Sequence, residues 1–230
     1  MPTILQLETA TPVCAVALSI DGKTIAFKEE TAQNIHASKL TLFINEVMEQ
    51  ANIKFSDLDA VAVSKGPGSY TGLRIGVSTA KGLCFALDKP LIGVNTLTMM
   101  AAGFLSEHPN YSGLVCPMID ARRMEVFTSV FDHQLNEVES TNAKIVDENS
   151  FLKHLDQHLV AFIGNGAEKC REMINHENAK FVSSNFNSAI NMSALANEAF
   201  INSDFEDVAY FEPFYLKDFV FTAPKKKELF

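Results

Sequence analysis

The sequence predicts a mixed α/β protein built as two lobes, on three observations. Apolar, β-favouring runs alternate with helical patterns from the first residues onward. A polar segment with a proline and a glycine, Glu107 to Gly113, separates two apolar halves. The chain has 230 residues, 47% of them apolar and 18 of them Phe, which is enough for one large or two small packed domains and gives no compositional sign of disorder. A boundary at the polar segment divides the chain into residues 1–106 and 107–230.

In the first part, Thr3 to Leu7 and Val13 to Ile20 are β-favouring runs, and Asp21-Gly22 provides a hairpin turn into Lys23 to Glu29. Leu40, Phe43, Ile44, Val47, Met48 and Ala51 follow at the spacing of one buried helical face, which predicts a helix over 34–52. Leu58 to Val63 reads as a buried strand that stops at glycine and proline. A helix over Thr71 to Leu87, a strand over Pro90 to Val94 and a helix from Thr96 to about Ser106 complete a β-β-β-α-β-α-β-α order.

Beyond the boundary, Leu114 to Ile119 and Met124 to Phe131 flank "DARR" as a hairpin. Ser150 to Leu155, Ala167 to Ile174 and Ser188 to Asn202 read as helical, Leu159 to Ile163 as a strand, and Ala209 to Leu216 as extended. No repeat period stands out.

Composition excludes some classes of function. The N-terminus lacks a basic start followed by an apolar run, and no window reaches about 18 uninterrupted apolar residues, so a cytosolic protein without a membrane segment is expected. Cys14, Cys84, Cys116 and Cys170 are scattered with no CxxC pair, which points to buried reduced thiols. A net charge of −9 opposes direct binding to a nucleic-acid backbone, and the one dense basic run, Lys225 to Lys227, reads as a solvated tail.

The glycines of "SKGPGSYTGLRIG" come near a phosphate cradle. A P-loop needs GxxxxGK followed by Ser or Thr, however, and a dinucleotide fingerprint needs a glycine where Thr71 stands. Gly66, Gly68 and Gly72 therefore read first as a tight strand-to-helix turn, with Ser69 or Thr71 as the cap. His154 and His158 have the i, i+4 spacing of a metal pair but lack a third ligand, and read as solvated. "GNGAEK", Gly164 to Lys169, reads as a plain turn in preference to a ligand loop. Glu8, at the end of the first strand, can face a cleft but is expected as a solvated loop acid, and His36 as a surface residue where a helix starts.

Taken together, "ILQLETATP", the lone His36, "AVSKGPGSYTGLRIGVSTAKGL", "KPLIGVNTL" and "PFYLKD" make the chain resemble the bacterial TsaB (YeaZ) family. The resemblance covers the whole first lobe and extends to the second in outline. It implies the two-lobed actin-like, sugar kinase and Hsp70-like (ASKHA, ribonuclease H-like) fold, with the C-terminal helix free to pack back on the first lobe. It also implies a non-catalytic subunit that supports the related enzyme TsaD in forming N6-threonylcarbamoyladenosine at position 37 of tRNAs reading codons that begin with A.

TsaD-like chains place two metal-binding histidines where this sequence has Thr96 and Met100, neither able to replace an imidazole. Glu8 also stands where the family usually has Asp. The resemblance thus implies no catalytic residue, metal ligand or intrinsic cofactor, and a nucleotide at most at a subunit interface. Its partners would be TsaD in a heterodimer, the ATPase TsaE through the TsaB–TsaD complex, and a second copy when alone, with tRNA met only indirectly. Alternatives are a metal-dependent peptidase or ATPase of the same superfamily, or a stand-alone structural homodimer.

Gly72, Gly76, Ala80 and Cys84 recur every four residues along the second helix as a ridge of small side chains. On spacing alone this ridge serves a partner helix or its own lobe equally, and the resemblance favours the partner. The expected partner interface is His36, Leu40, Phe43, Gly68, Tyr70, Gly72, Arg74, Gly76 and Ala80, with helices of two related subunits forming a four-helix bundle.

Overall fold

The computed structural model describes residues 1–217. It opens with an antiparallel meander of β1 (Thr3–Glu8), β2 (Val13–Ile20) and β3 (Lys23–Thr31). Asp21 and Gly22 both take positive φ at the β2–β3 turn, as a two-residue hairpin of this hand requires. Then β4 (Ala60–Gly66) pairs parallel to β1, and β5 (Leu91–Asn95) parallel to β4, giving the order β3-β2-β1-β4-β5.

The period-two alternation of β1 sorts its side chains onto two faces. Leu5 and Leu7 pack under α1 (His36–Ala51) and α2 (Tyr70–Leu87) with Leu40, Phe43, Val47, Val77 and Ala80. Ile4 faces the other side, sharing a core with Phe104 of α3 (Thr96–Glu107) and Ala196 of α5 (Ser193–Ile201).

The second sheet contains β6 (Leu114–Asp120), β7 (Glu125–Phe131), β8 (Glu137–Ile145), β9 (Val160–Ile163) and β10 (Ala179–Val182), in the order β10-β9-β6-β7-β8. β6, β7 and β8 form an antiparallel meander, while β9 pairs parallel to β6 and β10 parallel to β9. This is the topology of the first sheet repeated, a duplication without a sequence period. The core that holds Ile4 and Phe104 also holds Val115, Ile119, Phe131, Ala161 and Ile163, so α3 packs between the two sheets.

Several elements differ from expectation. Strands β8 and β10 were not anticipated: β8 is polar and mostly half-exposed at a sheet edge, and β10 is a four-residue edge strand, so neither carries the apolar run that marks a buried strand. The helix expected over 167–174 reduces to a 3-10 turn at Glu168–Cys170, and the one over 150–155 to α4 (Leu152–Leu155). The helix expected from Ser188 begins as a 3-10 turn before α5, which lies against β1, β2, β3 and β5 of the first sheet.

Residues 209–216 form no strand. Instead the end of the described chain runs as a strap over both lobes. Lys65 pairs with Glu206, Lys81 donates to the Ala209 and Phe211 carbonyls, the Phe214 N–H donates to the Lys65 carbonyl, and Lys217 pairs with Glu125 of β7. The basic run Lys225 to Lys227 and the last residue of "PFYLKD" lie outside the described residues. Among the described residues no helix is long and apolar enough to cross a membrane.

Candidate functional site

The glycine loop joins β4 to α2 beneath the β1–β2 turn. Ser69 caps α2, its side chain accepting from the Gly72 N–H at 3.3 Å, as the sequence suggests. The Ser69 N–H donates to the Ala10 carbonyl at 2.6 Å, so this loop amide already has a partner in the chain.

The close approach explains the glycines, and it corrects the small-residue ridge. A Cβ on Gly68 would stand 2.3 Å from the Ala10 carbonyl oxygen, one on Gly72 2.1 Å from that of Thr9, and one on Gly76 2.3 Å from Thr9 Oγ1. Ala80 and Cys84 continue the same face into the first core. Gly72, Gly76 and Ala80 therefore pack inside their own lobe and offer no ridge to a partner helix. Leu40 and Phe43 are buried in that core as well. His36 is not a surface residue: its Nε2–H donates to the Val13 carbonyl at 3.1 Å and ties the start of α1 to β2.

Of the expected interface residues, Arg74 is exposed and Tyr70 half-buried. The Arg74 guanidinium lies 4.7 Å from the Tyr70 ring centroid, and Tyr70 lies 4.8 Å from Tyr215 of the strap. Arg74 heads a second row on α2, continued by the small residues Ser78, Gly82 and Ala86, which is offset by two residues from the buried row, lies on the opposite side of the helix and is exposed throughout. Gly82 has no atom within 4 Å of its Cβ position. Beside this row Phe85 is 86% exposed, and the neighbouring helix α1 exposes Leu42 at 52%. The sequence reading missed Gly82, Phe85 and Leu42. The signal for Gly82 was present as a period-four row, but spacing alone does not say which of two rows faces out.

Between the two sheets lies a cavity of about 680 Å³, lined by residues of the β1–β2 turn, Met100, the Gly164–Glu168 turn and the loop after β10. The GNGAEK segment is a turn as expected, with Gly164 at positive φ, and it forms part of this wall. Glu8 is close by and fully buried, contrary to the expectation of a solvated acid. Burial pushes its carboxyl up to about 7 against the opposing effect of the Ala10 N–H, Ser64 and Asn187. Its Oε1 accepts from the Ala10 N–H, while Oε2 has no hydrogen-bond partner. Behind it the Thr96 and Ser64 hydroxyls bond each other at 2.7 Å.

The histidine pair separates. His154 is buried and bonded to Glu139 at 3.0 Å, which corrects the solvated reading, and His158 is exposed. Among the described residues no group of three or more His, Cys, Asp and Glu side chains is arranged to hold a metal. All four cysteines are free and buried, and burial first of all pushes the thiols of Cys14 and Cys84 up to about 11 and that of Cys116 up to about 12.

The family model for TsaD, tRNA N6-adenosine threonylcarbamoyltransferase, matches residues 27–223. The tRNA threonylcarbamoyladenosine biosynthesis protein TsaB of Bacillus subtilis is 31% identical over 75% of this chain and 75% of its own length. The TsaB of Escherichia coli is 34% identical over 63% of each chain. Among solved structures, a Pseudomonas aeruginosa protein with similarity to the peptidase YeaZ superposes with a TM-score of 0.84 at 26% identity, covering 94% of this chain and all of that one. YeaZ from the same organism gives 0.79 at 25% identity over the same shares. With matches of this extent, and with two ribonuclease H-like sheets in the two-lobed actin-like arrangement, the chain belongs to the TsaB (YeaZ) family of tRNA threonylcarbamoyladenosine biosynthesis proteins.

Proposed function

We propose that this chain is a non-catalytic subunit that pairs with TsaD and supports its formation of N6-threonylcarbamoyladenosine at position 37 of tRNAs reading codons that begin with A. The observation that carries this reading is the outward side of α1 and α2, where Phe85 stands exposed beside the Arg74–Ser78–Gly82–Ala86 row and α1 exposes Leu42. Small residues let a partner helix approach closely, and an exposed aromatic ring supplies apolar area for it to cover. A second copy occupies the same face when TsaD is absent, and TsaE is met through the complex. Two further observations support the reading. Thr96 and Met100, at the positions of the TsaD-like histidines, are buried, with the Thr96 hydroxyl engaged by Ser64. A net charge of −9 favours tRNA contact through the partner.

Gly82→Arg and Phe85→Glu test the reading in co-purification with tagged TsaD. Both side chains point into open solvent in the isolated chain, so the variants are expected to melt as the wild type does. Each is expected to weaken capture about a hundredfold, by placing an unpaired charge in a desolvated interface. Folded variants that capture TsaD as well as the wild type would sink the assignment.

A further inference from the structure

The β6–β7 hairpin is the one place among the described residues where two consecutive non-glycine residues, Arg122 and Arg123, take positive φ, of 71° and 48°. Residues with a Cβ are disfavoured there, and such a pair persists only where the surroundings over-determine it. Here they do. The Arg122 N–H donates to Asp120 Oδ1 at 2.9 Å, and the Asp120 N–H to Asn165 Oδ1 at 3.1 Å. The Lys169 ammonium donates to the Arg123 and Glu125 carbonyls, at 2.7 Å each, and to the Asp120 carboxylate, so all three of its donors are spent on this turn.

The turn so held presents two guanidiniums. Both arginines are exposed, and among the described residues neither side chain has a hydrogen bond, ion pair or aromatic partner. The other two arginines of the chain are engaged, Arg74 by the Tyr70 ring and Arg171 by Glu168. On a chain of net charge −9, the cations Arg122, Arg123, Lys169 and Lys217 gather at this hairpin against the carboxylates of Asp120 and Glu125. None of these residues lines the cavity between the sheets.

We propose that Arg122 and Arg123 grip the phosphate backbone of the tRNA while TsaD holds it, the hairpin supplying this chain's own small share of the contact. This rests on the subunit reading above. A guanidinium fork fits phosphate and carboxylate alike, but Ala121 and Met124 are half-buried, so the tip offers no exposed apolar anchor of the kind a protein partner uses. An RNA backbone presents phosphates in series, which suits two adjacent forks. The net charge keeps the chain alone a weak binder, so the contact matters beside a partner that carries most of the grip. The strap places the hairpin. Phe214 is bonded to Lys65 and Lys217 to Glu125, with about 11 Å of chain at most between them, so the hairpin stands near the start of α2, at the border of the face assigned to TsaD.

The full chain with isotope-labelled arginine is titrated at low salt with an unmodified tRNA transcript and, separately, with polyglutamate. The tRNA is expected to shift the Nε–H resonances of Arg122 and Arg123. The double variant Arg122→Asn, Arg123→Gly places residues that suit positive φ, so it is expected to melt no lower than the wild type and to capture TsaD equally. Its complex with TsaD is expected to bind tRNA about tenfold more weakly, with a salt dependence shallower by about 1.4 to 1.8 log units per decade, roughly 0.7 to 0.9 for each phosphate lost. Affinity lost with stability kept separates an RNA contact from a structural role. The proposal is overturned if tRNA moves neither resonance, or if polyglutamate moves them at a lower concentration of charge than tRNA does, which would assign the hairpin to an acidic protein. It is equally overturned if the folded variant keeps the wild-type affinity and salt dependence, or if it loses TsaD. A wild type that captures no TsaD sinks the subunit reading by itself, and the titration of the chain alone then decides this proposal, as it does where the variant fails to fold.

Discussion

In the first lobe the carboxyl that ends the central strand, Glu8 on β1, is fully buried, whereas its counterpart in the second lobe, Asp120 on β6, stands exposed and paired with Lys169. The two strands occupy one place in one topology, each flanked by an antiparallel neighbour on one side and a parallel one on the other. What covers the sheets differs. Between the third and fourth strands the first lobe has the 16 residues of α1, and the second has the four of α4. After the fourth strand the first lobe has the 18 residues of α2, and the second a three-residue 3-10 turn. The helices that follow the fifth strands, α3 and α5, both remain, and both belong to the core that joins the sheets. Helices needed for that shared core persist in both lobes, while a long outward helical pair exists only where this reading places a partner.

The largest expected effect breaks the packing peculiar to the first lobe. Gly76→Arg forces a long charged side chain against Thr9, where even a Cβ would stand 2.3 Å from Oγ1. A loss of more than about 4 kcal/mol is expected, combining overpacking with a buried unpaired charge. Thermal unfolding checks it, and a variant that melts with the wild type would mean that α2 is lodged differently.

The next effect sharpens the contrast through pH. Burial raises Glu8 from 4.5 to about 7. The folded state therefore holds a proton that the unfolded chain has released, and this group's stabilisation, full below about 4.5, is lost as pH rises to about 7. In the second lobe burial also pushes Glu139 up, but hydrogen bonds from Lys144, Lys153 and His154 outweigh it and hold the carboxyl at about 2. That stabilisation is full above about 4.5 and is lost as pH falls towards 2. Each is worth at most about 3 kcal/mol. Denaturant titrations across pH are expected to lose the neutral-side slope in Glu8→Gln and the acid-side slope in Glu139→Gln. Slopes unchanged in both variants would assign the pH response elsewhere.

The smallest effect concerns the outer row of α2. Gly82→Ala meets no neighbouring atom and gains helix propensity, so stability should rise by up to about 1 kcal/mol, in contrast to the collapse expected six residues back at Gly76. A destabilised alanine variant in chemical denaturation would show that position 82 is not open.

The first lobe was legible because its strands and helices carry their burial in their periodicity: Leu40, Phe43, Val47 and Met48 announce both a helix and its inner face. The second lobe was legible at β6, β7, β9, α5 and, at shorter length, α4, but not at β8 and β10, since edge strands such as β8 bury too little to leave a pattern. The candidate site was half legible. A four-residue period shows which residues of α2 share a face, but the direction of that face depends on where the β1–β2 turn lies, which is a tertiary fact. Glu8 was misread for the same reason, because a strand end is a solvated place unless another segment closes over it. Here the turn leading to α5 does so, bringing Asn187 near.

The C-terminal strap gives the molecule a sensitivity to ionic strength that its cores do not share. Its fastenings are main-chain hydrogen bonds and the partly exposed pairs Lys65–Glu206 and Lys217–Glu125. Such pairs are each worth up to about 1 kcal/mol and are screened over roughly 8 Å at physiological salt. Added salt therefore slackens the strap before it touches the apolar interior. The grip of one lobe on the other at the chain's end is an electrolyte-dependent quantity, while the grip around Phe104 is not.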